Sequence, residues 1–169
     1  LTFDYPSAWI IKDPAGEVPS GGGVFVAVAN ADGKQMATLR TNMATATECT
    51  RKYPYSILDS VPLPALAQAG STPRFTFESR LDAAATDPMK RNVLAYGITS
   101  APVPTGPAAC PIFHFFTWPP SSATFGGAYN PFDATGATKP AADTPELYMQ
   151  TQEYKDIKRM IVSLRPASS

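Results

Sequence analysis

The 169-residue chain reads as an α+β protein: an antiparallel β-sheet of about five to seven strands, packed by a C-terminal amphipathic helix and one or two short helices. Three observations predict it. Asp32-Gly33 lies between two β-favouring runs, which is a strong hairpin signal. Apolar and polar residues alternate from Arg74 to Leu81 and from Asn92 to Ser100. From Thr151 onward, apolar residues return at three- and four-residue intervals. Strands arriving in hairpins and followed by a helix pack best as a sheet covered by that helix.

Taken in order, Thr2 to Lys12 reads as a kinked edge strand, bent at Pro6-Ser7, and Asp13 to Gly23 as a glycine- and proline-rich loop. Val24 to Asn30 and Gln35 to Asn42 form the hairpin around Asp32-Gly33, and the first of them, apolar on both faces, is expected in the middle of the sheet. Ala44 to Thr72 carries Pro54, Pro62 and Pro64, so only short elements are expected, with a helical turn at Ala65 to Ala69. Arg74 to Leu81 and Asn92 to Ser100 form a second hairpin, the first strand presenting Phe75, Phe77 and Leu81 on one face and Arg74, Thr76, Glu78 and Arg80 on the other. Ile112 to Trp118 reads as a further strand and Pro119 to Asp143 as a long surface loop. In the last helix, Tyr154, Ile157, Met160, Ile161 and Leu164 share a face, Thr151 caps the first turn, and Glu153 lies near the positive end of the dipole.

Length suits a single domain over residues 1–169. Fourteen basic residues balance fourteen acidic ones, and the basic residues cluster only as pairs such as Arg51-Lys52, Lys90-Arg91 and Lys158-Arg159. Nucleic acid, which calls for a clustered positive surface, is therefore not an expected partner. Cys49 and Cys110 are too far apart for a CxxC motif. A disulfide between them would close a loop worth roughly 4 kcal/mol on the chain-entropy model. Two buried thiols are the alternative. Such a bond persists in an oxidising compartment. Few Lys and Glu beside abundant Ala and Thr and eighteen prolines suit an exported protein of a GC-rich bacterium. The start at Leu1-Thr2-Phe3 carries the further expectation of a removed signal or lipoprotein leader. The domain is thus expected to be soluble and extracytoplasmic, secreted or tethered to the cell surface by a lipid anchor.

The residues narrow the chemistry. His114, the chain's one histidine, stands among Phe113, Phe115 and Phe116, where a hydrogen-bonded histidine on a sheet face is a better reading than a catalytic base. No GxSxG, SxxK or HExxH pattern occurs. One His and two cysteines cannot furnish a His/Cys metal centre, so neither a metal nor a cofactor is expected. Asp82, Asp87 and Asp133 lack the spacing of a calcium loop. Gly21-Gly22-Gly23 leads into a strand and not a helix, which removes phosphate cradling. Two carboxylates meeting in a cleft would make a secreted hydrolase, the rival to a binding module, and an enclosed apolar cavity would make a small-ligand carrier. Two groups are candidate binding surface: Arg40, Arg74, Glu78 and Arg80 on a charged sheet face, and Trp118, Phe125, Tyr129 and Phe132 in or beside the long loop.

Phe3-Asp4-Tyr5-Pro6-Ser7-Ala8-Trp9 resembles the opening F-x-YP-x-x-W strand of PsbP-like domains. The stretch from Glu153 to Arg165, ending Ser163-Leu164-Arg165, resembles the last helix and terminal SLR of the same fold. That fold family includes the extrinsic subunit of photosystem II, a Ran-binding nuclear import factor and actinobacterial lipoproteins. The resemblance implies an antiparallel sheet flanked by helices and used as a non-catalytic binding or assembly module, with an unspecified protein partner or small ligand. It covers the two ends, and Ala101 to Pro145 departs from the pattern, so no family binding residue carries over.

Overall fold

The computed structural model describes residues 1–13, 22–45, 48–131 and 144–167. In chain order the elements are β1 (Ile10–Lys12), β2 (Phe25–Ala29), β3 (Gln35–Met43), β4 (Tyr53–Pro62), a 3-10 turn (Pro64–Leu66), β5 (Arg74–Leu81), α1 (Pro88–Arg91), β6 (Asn92–Thr99), β7 (Ala108–Ala109), β8 (Phe116–Trp118), β9 (Ser121–Tyr129), α2 (Pro145–Gln150) and α3 (Gln152–Val162). The expected α+β architecture is present. The sheet has nine strands in the order β1-β2-β3-β9-β6-β5-β4-β7, with β8 paired to β9. It exceeds the expected five to seven because β4, β7 and β9 fall in stretches whose prolines and glycines do not read as strands.

The hairpin around Asp32-Gly33 forms as its sequence dictates. Gly33 takes φ +83°, the region open to glycine, and Asn30 Oδ1 accepts hydrogen bonds from the Asp32 and Lys34 amides. β2 is buried on both faces at Ala27, Val28 and Ala29, yet lies one strand from the edge instead of at the centre. Its outer neighbour β1 is exposed throughout.

Three expectations are corrected. Ala44 to Thr72 contains the ten-residue β4, whose prolines sit at its second and last positions, near the ends where a missing ladder hydrogen bond is tolerated. Ile112 to Phe115 is not part of a strand, and only Phe116–Trp118 pairs. The stretch read as a surface loop holds β9, the middle of the sheet. Gly126-Gly127 disguised it: a Cβ on Gly126 would come within 2.4 Å of the Tyr96 carbonyl oxygen, and one on Gly127 within 2.2 Å of that of Met36. Glycine here reports close backbone approach.

The core lies between the sheet and α2–α3. Phe75, Phe77, Leu94, Tyr96, Ile98 and Phe125 meet Tyr148, Tyr154, Ile157, Met160 and Ile161, all fully or almost fully buried. Tyr129 stacks on Tyr148 with centroids 3.6 Å apart, and Phe77 packs edge-on to the same ring. Three buried phenol hydroxyls have outlets: Tyr96 donates to the Met36 carbonyl, Tyr148 to Glu153 and Tyr154 to Asp59, which also receives Lys158. Burial first, and then neighbouring negative charge, pushes all three phenols above the ordinary tyrosine range. Thr151 caps α3 through the Tyr154 amide, as its sequence indicates.

The two ends of the described chain meet. Thr2 and Arg165 form a β-bridge, the Arg165 guanidinium holds both oxygens of Asp4 at 3.0 and 3.1 Å, and the Ser163 hydroxyl accepts from the Asp4 amide. That pairing holds the Asp4 carboxyl below its ordinary range.

Gly126→Ala is expected to lower stability by about 1–3 kcal/mol, since a methyl group must displace backbone of β6. The urea midpoint should fall at unchanged slope. An unaltered midpoint would mean that β9 does not run this close to its neighbour.

Candidate functional site

An antiparallel sheet packed by helices on one side commonly leaves the other face to water. Here part of that second face is covered. After β6 the proline-rich segment Ala101–Phe115 doubles back across it and is fastened at successive points. Arg74 donates to the Ala101 carbonyl, Tyr55 to that of Pro104 at 2.9 Å, and Arg80 Nε to that of Cys110 at 2.6 Å. The expected Cys49–Cys110 disulfide joins this segment to the chain entering β4, with Cα atoms 5.4 Å apart across 61 residues. β7 pairs Ala109 with Tyr53 beside it.

Beneath the cover lies a buried ionic network. Glu78 Oε1 is 2.8 Å from His114 Nε2, and its Oε2 accepts from Arg80 Nη1, also at 2.8 Å. Side-chain exposures of 7–8% put Glu78 and His114 almost wholly out of water and leave Arg80 only a small exposed edge. The imidazole fits because Gly97 lies below it: a Cβ there would stand 2.8 Å from His114 Nδ1. The strand is therefore not the half-exposed one that alternation suggests. Its polar face, Thr76, Glu78 and Arg80, is as buried as its apolar face. Burial raises the Glu78 pKa, but hydrogen bonds from His114 and Arg80 and their positive charge outweigh it, and the carboxyl is held below its ordinary range.

A surface cleft of about 180 Å³ opens at the edge of this network. Its apolar wall is Tyr53, Val93, Pro111 and Ile112, and its polar groups are Arg80, Asp82 and Lys90. The disulfide brings Tyr53 and Pro111-Ile112 together, while the β5–β6 connection supplies Asp82 and Lys90. Asp82 is already bound by Arg51 at 2.9 Å.

Of the candidate binding residues, Arg80 alone lines this cleft. Glu78 is sealed beneath the cover. Arg74 lies at the far end of β5, its Nε buried without a partner. Arg40 stacks over the Phe25 ring at 3.8 Å on β3, three strands from β5 and so roughly 14 Å away at ordinary strand spacing. Of the aromatic candidates, Phe125 and Tyr129 are core residues of β9, and Trp118 packs partly buried against the core. Phe132, like Asp133, lies outside the described residues. The other cleft residues carry no motif; the spacing of Cys49 to Tyr53 and of Cys110 to Ile112 was their one signal in the sequence.

Among the described residues no group of three or more His, Cys, Asp or Glu is placed to hold a metal ion, and no helix is long and apolar enough to cross a membrane. No protein-family model matches the chain, and neither a curated protein nor a solved structure matches it.

Two measurements test the cover and its network. Replacing both cysteines by serine should lower stability by about 2–5 kcal/mol in urea denaturation, the effect typical of a native disulfide; equal stability would mean that the bond does not constrain the fold. A Glu whose folded pKa is depressed stabilises the protein when ionised, and that contribution is lost as pH falls from about 4.3, the unfolded value, through the folded one. Glu78→Gln should therefore lose about 3–5 kcal/mol at neutral pH, leaving Arg80 uncompensated, and the gap to wild type should narrow in acid. Parallel stability curves across that window would remove Glu78 as the charge that holds the network.

Proposed function

We propose that the chain is an extracytoplasmic, non-catalytic binding or structural module of the PsbP-like fold class, from a bacterial secreted protein or lipoprotein. The observation that carries it is the mutual commitment of His114, Glu78 and Arg80. The chain's one histidine is carried by the disulfide-pinned cover and its partner carboxylate lies beneath it, both almost fully out of water, where these groups brace the sheet instead of meeting a substrate. A hydrolase of the two-carboxylate kind needs a pair of acids facing one cleft. The cleft described here presents Asp82, already neutralised by Arg51.

The disulfide supports the compartment, since such bonds persist where the surroundings oxidise thiols. The PsbP-like reading is supported by the two end motifs, which bind each other through Asp4, Ser163 and Arg165. A lipid tether is the extension of this reading that the residues upstream of Leu1 decide: a lipobox cysteine supports it, and an uninterrupted cytoplasmic chain overturns it.

The protein isolated from its own host without reductant should show no reactive thiol after denaturation, and Glu78→Gln and Asp82→Asn should leave any hydrolytic activity at background on ester and glycoside substrates. Two titratable thiols would overturn the export reading. Turnover that disappears with Asp82→Asn would overturn the non-catalytic one.

A further inference from the structure

We infer that the cleft between the β5–β6 connection and the disulfide-bonded cover is a binding site for a small monocarboxylate bearing a ring or short apolar chain. This deepens the binding-module reading and rests on it. Arg80, Lys90 and Arg51 stand at or beside the cleft, where Glu78 holds Arg80 and His114, and Asp82 holds Arg51. Lys90 is the lining cation that makes no side-chain hydrogen bond or ion pair among the described residues.

The donors are also preorganised. Arg80 Nε is fixed by the Cys110 carbonyl and Nη1 by Glu78 and the Ser79 carbonyl, so the guanidinium plane cannot turn. Its Nη2 carries no hydrogen bond among the described residues and is not sealed from solvent. A guanidinium held in place loses little freedom on donating to a carboxylate oxygen, and Lys90 adds a mobile ammonium for the second.

Size and lining decide the rest of the ligand. Tyr53, Val93, Pro111 and Ile112 offer an apolar wall, and Val93 is 45% exposed at the cleft mouth, so an apolar group has surface to cover. The volume of about 180 Å³ is below the roughly 300–1,000 Å³ of drug-sized sites, which limits the apolar part to a single ring or a short chain. Inorganic sulfate or phosphate would use the cations and leave the wall uncovered.

Benzoate is the probe. Titrated into isotope-labelled protein and followed by amide NMR, it should give saturable shifts at Lys90, Val93 and Ile112 with a millimolar or tighter Kd. Lys90→Glu, at an exposed position, should weaken binding about tenfold or more, and Val93→Trp should abolish it by filling the cleft. Benzyl alcohol and sulfate should each bind much more weakly than benzoate. Absence of saturable shifts, an unchanged Kd in Lys90→Glu, or equal binding of benzyl alcohol or sulfate would overturn the assignment. Intact mass of the same sample reads the disulfide: bonded protein without benzoate binding sinks the ligand alone, whereas reduced protein sinks the extracytoplasmic reading beneath it.

Discussion

Strand β5 is buried on both faces, and the polar one of those faces carries a glutamate and an arginine that have to be satisfied away from water. An isolated buried charge is strongly disfavoured, so such groups persist only when paired and hydrogen-bonded. The chain meets this requirement from a distance. Arg80 uses the main chain at Cys110 and Glu78 uses His114, both on a segment that follows β6 and returns over the sheet. The disulfide, the short β7 ladder and the Tyr55 hydroxyl then hold that segment in place. Remove the pairing and the cover has no polar reason to lie where it does; remove the cover and the pairing is flooded.

Local periodicity made the helix α3, the Asp32-Gly33 hairpin and the β5–β6 hairpin readable in advance, because each depends on neighbours within a few residues. The disulfide was readable from composition. What stayed hidden depends on distant chain. Alternation along Arg74 to Leu81 correctly separates two faces, yet says nothing of whether a later segment will cover the second one. Gly126-Gly127 looks like loop chemistry until β3 and β6 are placed on either side of it, at which point only glycine fits. The aromatic residues Phe125 and Tyr129 followed the same error, being read as loop side chains because their strand was missed.

The cleft illustrates how one covalent bond can place residues that have no relation in sequence. Tyr53 lies four positions after one cysteine, and Pro111 and Ile112 come directly after the other. Val93 stands opposite Arg80 in the β5–β6 register, so wall and guanidinium are set by the same ladder. The network that keeps Arg80 rigid is thus the part of the fold least suited to chemistry and best suited to holding a donor still, a division seen wherever a supported side chain faces an open site.

The meeting of the ends has a geometric consequence. Phe3 packs on Phe125, whose ring points to the helix side of the sheet, and the bridge from Thr2 to Arg165 closes the end of α3 on that same side. Arg80 and the cleft belong to the opposite face. The meeting point of Thr2 and Arg165 therefore lies on the helix-bearing side, and a surface that held the domain there would find the disulfide-rimmed cleft turned outward, away from it.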